Sequence, residues 1–208
     1  DASMHDDLEG RIIHLANYSR YLPIPFDLNG HGTMVTASVL GNGVMSGSIP
    51  SQRQFDGSHT GAAPEAQLVF QAMGDDRGTG AIIPPLPLGS GLFLPAYNYG
   101  ARVHSNSWGW MGPFLGTYTS GEDVDSFVYS RKEMVIVFAA GNLGYLYGYG
   151  SIVPPSTAKN VLSVGSVETR NPRVRSSFSS KGPTWDGRVK PDLLAPGEFI
   201  VSARSSRA

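Results

Sequence analysis

Met134-Val135-Ile136-Val137-Phe138-Ala139-Ala140-Gly141-Asn142 is the stretch that decides how this chain folds. An unbroken apolar run, rich in β-branched and aromatic side chains and stopped by glycine and asparagine, reads as a buried strand. Val161 to Val167 repeats the pattern, Gln67 to Met73 is a third apolar run, and Arg102 to Ser107 reads as a further strand ending at Trp108-Gly109. Between these runs lie helical stretches. Glu122 to Lys132 is acidic at its start and basic at its end, as the helix dipole prefers. Thr33 to Leu40 is a second, with Asn29 or Asp27 as cap, Val35, Val39, Ala37 and Ser38 suited to tight burial, and Gly41-Asn42-Gly43 as a left-handed stop. Strands alternating with helices predict an α/β fold with a mostly parallel sheet, whose strand C-termini carry the site. Residues 1 to 28 read as polar and irregular. In 81 to 101 the prolines 84, 85, 87 and 95 argue against one continuous helix, with two turns expected over Leu92 to Tyr99.

The 208 residues suffice for one sizeable core, so one domain, or part of one, is expected over residues 1–208. Sixteen Lys and Arg against seventeen Asp and Glu leave a formal charge of -1, and no net field draws the chain to nucleic acid or anionic lipid. No apolar run reaches the roughly 18 residues of a membrane span. The absence of cysteine removes disulfides, Cys-based zinc sites and thiol catalysis together. The histidines offer no metal-site spacing, and Gly41-x-Gly43-x-x-x-Gly47 has the wrong spacing and context for a dinucleotide fingerprint. A nucleotide-binding α/β domain is therefore set aside.

Two residues stand out chemically. His31, between Gly30 and Gly32 at the start of a helix, is mounted as a general base needs to be. Asn142, at a strand end beside glycine and small alanines, can donate its amide into a cleft that bulkier side chains would close, as in an oxyanion hole.

The segments His31-Gly32-Thr33-x-Val35, Ser105-Asn106-Ser107-Trp108-Gly109, Ala139-Ala140-Gly141-Asn142-x-Gly144, Asn160 to Gly165, Phe178-Ser179-Ser180-x-Gly182-Pro183 and Lys190 to Gly197 resemble, in order, the subtilisin-like serine proteases, the subtilases. The last two look most like the larger bacterial alkaline members. The resemblance implies a three-layer subtilisin-like fold and a secreted, monomeric endopeptidase acting on protein or peptide substrates without a cofactor. It makes His31 the base and acid of a Ser-His-Asp triad and Asn142 the oxyanion donor. Ser107, Trp108 and Gly109 would pair with the substrate backbone, Gly78, Thr79 and Gly80 would pair from the other side, and Ala139, Ala140 and Gly141 would line the pocket before the scissile bond. Such small walls imply a broad, apolar preference. The family often uses structural calcium; here Asp75-Asp76 and Asp123-x-Asp125 are the candidates, more simply read as a solvated loop and a helix start.

The chain departs from the pattern at two places that matter. It contains neither the Asp-Thr/Ser-Gly motif of the family's aspartate nor the Gly-Thr-Ser of its nucleophile. His5 to Ile12 resembles the segment just after the aspartate, so the aspartate is expected upstream of residue 1 and the serine beyond residue 208. The domain then reads as truncated at both ends, and inactive alone, with sheet edges and apolar faces exposed. The rival reading is a non-catalytic relative that binds peptides. Smaller departures are Met34, where many members have a second histidine, and Thr36-Ala37 in place of Ala-Gly.

Overall fold

The computed structural model describes residues 5–19, 26–53, 55, 57–75, 77–112 and 114–205. It is an α/β structure with parallel strand pairs, in two compact units, Asp1–Pro85 with Val201–Ala208 and Leu86–Ile200. Among the described residues no helix is long and apolar enough to cross a membrane.

In the first unit β1 (Ile12–Asn17) pairs in parallel with β2 (Leu68–Ala72), so the stretch expected to be irregular contains a strand. Its alternation is masked by His14 and Asn17, and its partner lies 56 positions on at Ile12↔Leu68. Helix α1 (His31–Leu40) buries Thr33, Thr36, Ala37 and Leu40, one stripe at helical spacing, while Val39 is exposed and Val35 only half-buried. The valines expected in the core are thus on the wrong face. The stripe is kept small because the backbone of Gly61 packs on it, where a Cβ would lie 2.6 Å from the Ala37 carbonyl oxygen. Gly41 is not left-handed, with φ -57; it is needed because a Cβ there would lie 2.7 Å from the same oxygen. The left-handed residue is Gly43, with φ 59. Arg11 donates to the carbonyls of Leu40, Ala66 and Asp7, satisfying the last turn of α1. Leu8, Leu40, Ile12, Leu68 and Phe70 form the apolar cluster beneath.

The second unit is a four-stranded parallel sheet in the order β3 (Val103–Asn106), β4 (Val135–Ala139), β5 (Leu162–Glu168), β6 (Leu193–Glu198). A π-turn, Gly89–Phe93, runs into α2 (Leu94–Asn98), so the two turns expected over Leu92 to Tyr99 are present and begin one wider turn earlier, while Pro84, Pro85 and Pro87 precede the helix. Pro95 has no N–H, and in a regular helix its ring would press on the carbonyl of Gly91; the wider turn, closed by Leu94 N–H to Gly89 O, relieves both. Asp123, in α3 (Gly121–Ser130), accepts the Gly89 N–H at 2.9 Å. Phe93 and Phe127 from these helices meet Phe138 and Ile136 of β4 on one face of the sheet, each such buried side chain contributing about 1.5–3 kcal/mol. Register places Val103, Val135, Leu162 and Leu193 together on the opposite face, and all four are exposed. β4 is therefore buried on one face and alternates in exposure, which its uniformly apolar sequence hides. β6, containing Pro196, stands at the edge where a missing N–H is tolerated. The buried Lys190 anchors its start, donating to Val161 O at 3.1 Å and Asp192 Oδ2 at 2.6 Å.

Candidate active site

Each unit carries part of the expected site. In the first, Asp27 shapes the approach to His31. Its Oδ1 accepts the Gly30 N–H at 2.8 Å, and its Oδ2 accepts the N–H and hydroxyl of Thr33, both at 2.7 Å. Asp27 is thus the cap of α1. Burial works against its charge, but these hydrogen bonds outweigh it and hold the carboxyl below its ordinary range. Gly30 takes φ 83, which a side chain would resist, whereas a Cβ on Gly32 would make only ordinary contacts at 3.5 Å and beyond. His31, first in the helix, is exposed, and its ring makes no hydrogen bond to the described residues. Neither ion pair found among them, Arg188–Asp186 or Lys190–Asp192, involves it.

Asn29, the other proposed cap, instead donates to Gly78 O at 3.1 Å. This brings the Gly78-Thr79-Gly80 loop against the residues leading into α1, where a Cβ on Gly78 would be 3.0 Å from Leu28 O. The loop tip is shaped by Asp75, which accepts from the N–H of Thr79 at 3.0 Å and from its hydroxyl at 2.5 Å. The Thr79 hydroxyl, its N–H and nearby Arg77 keep the Asp75 carboxyl below its usual range. The Thr79 amide and the Gly78 carbonyl are consequently both engaged within the chain.

In the second unit the residues after β4 form a turn pinned on every side. Ala140 donates to Val164 O and accepts from Val153 N–H, both at 2.9 Å; Gly141 O accepts from Ser180 N–H at 2.9 Å; Leu143 N–H donates to Ser180 Oγ at 3.1 Å. Gly141 holds φ +109, and Gly144 lies so close to Ser179 that a Cβ would sit 2.0 Å from its carbonyl oxygen. Asn142, at the centre, is exposed, with a side-chain amide that no described residue engages. Ala139 is exposed and Ala140 buried.

Ser107, Trp108 and Gly109 continue from β3 to the same place. A Cβ on Gly109 would lie 2.4 Å from Val153 Cγ1 and one on Gly141 2.3 Å from Val153 Cγ2, so two glycines close on two methyls of one valine. Trp110 N–H donates to Pro154 O at 2.7 Å. Trp108 is half-buried, its ring edge-on to Phe138 at 5.3 Å and to Trp110 at 5.7 Å, with Nε1 donating to Asn106 Oδ1 at 3.2 Å; it is core on one side and open on the other. Val153 and Ser180 are the positioning residues that sequence reasoning missed. The Phe178-Ser179-Ser180 motif was the available signal for one; nothing local marked the other.

The described acidic residues considered for calcium are engaged by hydrogen bonds within the chain. Asp123 accepts from Gly89, and Asp125 accepts from the Tyr118 hydroxyl and the N–H groups of Lys159 and Asn160. Asp76 lies outside the described residues, among which no three potential ligands cluster.

The second unit is thus a parallel α/β sheet with an exposed asparagine on a hydrogen-bonded turn at one strand end, and the first mounts an exposed histidine at the start of a helix. The chain belongs to the subtilase family, whose profile matches residues 6–208. It is 32% identical over 214 residues to serine protease AprX of Bacillus subtilis, covering 97% of this chain and 45% of that protein. It is 29% identical to the serine protease/ABC transporter B family protein tagD of Dictyostelium discoideum, covering 87% of this chain and 14% of that protein. The chain thus spans less than half of either relative. Among solved structures, the protease domain of PatA (an S218A mutant) superposes with a TM-score of 0.62 at 24% identity, over 93% of this chain and 62% of that one, and Sphericase with 0.61 at 23%, over 87% and 56%.

Proposed function

We propose that the chain is the histidine-bearing part of a serine endopeptidase catalytic domain. His31 takes the proton from the attacking serine hydroxyl and returns it to the leaving amine, while the Asn142 amide donates to the oxygen that becomes negative in the tetrahedral intermediate. Ser107 to Gly109 and Gly78 to Gly80 supply backbone to an extended substrate, and Ala139 to Gly141 bound the primary pocket. The aspartate and serine come from sequence outside these 208 residues, the enzyme works as a monomer outside the cell, and no cofactor enters the chemistry. The observation that carries the reading is the Asn142 turn: an amide that no described residue engages, on backbone held at Ala140, Gly141, Leu143 and Gly144. A preorganised donor of this kind is worth about 3–4 kcal/mol in the transition state.

The test uses the product of the whole reading frame, assayed on casein and by fluorophosphonate labelling. Asn142→Ala is expected to lower kcat about 100- to 1,000-fold with little change in KM, and His31→Ala to abolish turnover. Unchanged turnover in His31→Ala sinks the proposal. The 208 residues alone are expected to show none. The lack of both Asp-Thr/Ser-Gly and Gly-Thr-Ser favours a second reading, a peptide-binding relative, which predicts peptide binding without turnover in the whole protein as well.

A further inference from the structure

Past β6 the chain continues as Val201-Ser202-Ala203-Arg204-Ser205, which belongs to the first unit and to no helix or strand. Two hydroxyls fasten it to α1 and its cap. Ser205 is buried, and its Oγ donates to the backbone oxygen of Asp27 at 2.8 Å. Ser202 Oγ donates to the Met34 oxygen at 2.8 Å, and the Ser38 hydroxyl lies 3.0 Å from Ser202 Oγ and 2.9 Å from the same Met34 oxygen.

These contacts have a direction. Ser202 meets α1 at Met34 and Ser38, one helical turn apart on one face, whereas Ser205 meets Asp27, ahead of the helix and four positions before His31. The segment therefore runs antiparallel to α1, and from Ser202 to Ser205 it travels toward the end that carries His31. Three extended residues reach about 10 Å, about two turns of helix, enough to pass from the middle of α1 to its cap. Asp27 joins the two sides: its carbonyl takes the Ser205 hydroxyl, and its carboxylate takes the N–H groups of Gly30 and Thr33, which flank His31 and Gly32. Ser38 fits the same arrangement. A mid-helix serine bonded to the carbonyl four residues back is neutral to unfavourable for the helix by itself, and here its hydroxyl meets that of Ser202.

We infer that Ser202 and Ser205 are positioning residues for the general base: they fasten the segment that leads toward the nucleophile onto the helix start that mounts His31, so that base and nucleophile are set in one register. The inference rests on the peptidase reading, in which the serine follows this segment in the chain, and deepens it. The chemistry asks for such a tie. The attacking hydroxyl must come within about 2.6–3.2 Å of the imidazole, and a misplacement of about 1 Å can cost about 100-fold in rate. Serine suits the task because its arm has one χ angle, so each bond holds backbone against backbone with little play.

The product of the whole reading frame is assayed for kcat and KM on a peptide anilide and for its rate of fluorophosphonate labelling, each beside a thermal midpoint. The double substitution Ser202→Ala, Ser205→Ala is expected to lower kcat and the labelling rate by a common factor of about 10 to 100, with KM within about twofold of wild type. Ser202→Thr, which keeps the hydroxyl, is expected to restore kcat to within about threefold of wild type where Ser202→Ala does not. Leu40→Val, which loosens the far end of α1 without touching the segment, is expected to lower the thermal midpoint and leave kcat unchanged at a temperature where both proteins are folded. Unaltered kcat and labelling in the double variant overturn the inference, while wild-type turnover leaves the peptidase reading standing. A loss of kcat in Leu40→Val that tracks stability as it does in the serine variants also overturns it, because the hydroxyls then support only the fold. No hydrolysis and no labelling by the wild type refutes the peptidase reading and this inference together. Should the double variant not fold, Ser202→Ala alone, at the half-buried position, repeats the test, and unaltered kcat there overturns the inference equally.

Discussion

His104 makes the second unit sensitive to acid. It sits in β3 on the covered face of the sheet, edge-on to Phe93 with ring centroids 4.9 Å apart, and burial pushes its pKa down to about 4 against a weaker, opposing hydrogen bond with Asn106. The ordinary value is 6.5, so between pH 6.5 and about 4 the unfolded chain binds a proton that the folded chain refuses. Stability is then fully present above pH 6.5 and falls as the pH drops through that window, levelling off below about 4. At about 1.4 kcal/mol per pH unit, the whole interval amounts to about 3 kcal/mol, and the fall from pH 7 to pH 5 to about 2 kcal/mol. Urea unfolding followed by tryptophan fluorescence reads this directly, because all three tryptophans, 108, 110 and 185, lie in the second unit. Wild type should lose about 2 kcal/mol over that range. His104→Gln should start lower at pH 7 and lose much less on acidification. An identical pH slope in the two proteins, or an NMR titration placing the His104 ring near its ordinary value, refutes the reasoning.

Other perturbations follow from single contacts. Gly141→Ala must accommodate both φ +109 and a Cβ 2.3 Å from Val153, and is expected to lower stability by about 1–3 kcal/mol, read as a fall in thermal midpoint. Asp27→Ala removes the cap of α1 and should cost about 1–2 kcal/mol, with increased amide exchange at Gly30 and Thr33 as the local signature. Asp192→Asn leaves the buried Lys190 ammonium facing only neutral carbonyl oxygens, and should destabilise by about 3 kcal/mol in urea unfolding, whereas Asp186→Asn, at the exposed end of the Arg188–Asp186 pair, is expected to matter little when measured the same way.

What the sequence disclosed and what it withheld divide along the range of the interactions involved. β4 and β5 are legible because their apolar runs are contiguous, and the cleft residues because histidine and asparagine are set in patterns of small neighbours that packing alone does not demand. β1 and β6 are not, because their strand character comes from partners 56 and 29 positions away, at Ile12↔Leu68 and Val164↔Leu193. The buried face of α1 differs from the most hydrophobic one for the same reason. Hydrophobicity favours Val35 and Val39, but the buried stripe is Thr33, held by Asp27, Thr36, Ala37, where the Gly61 backbone packs close, and Leu40, which joins Leu8, Leu68 and Phe70. The π-turn before Pro95 shows the converse: a proline forbids a regular helix, yet a helix with one wider turn avoids both the missing donor and the clash. At Asn142 the sequence supplies the amide, but its rigidity comes from Ser180 and Val153, which reach the turn from positions 38 and 11 residues further on. Candidate site groups announce themselves by chemical type. The residues that hold them still are chosen by shape and appear only once the chain has folded.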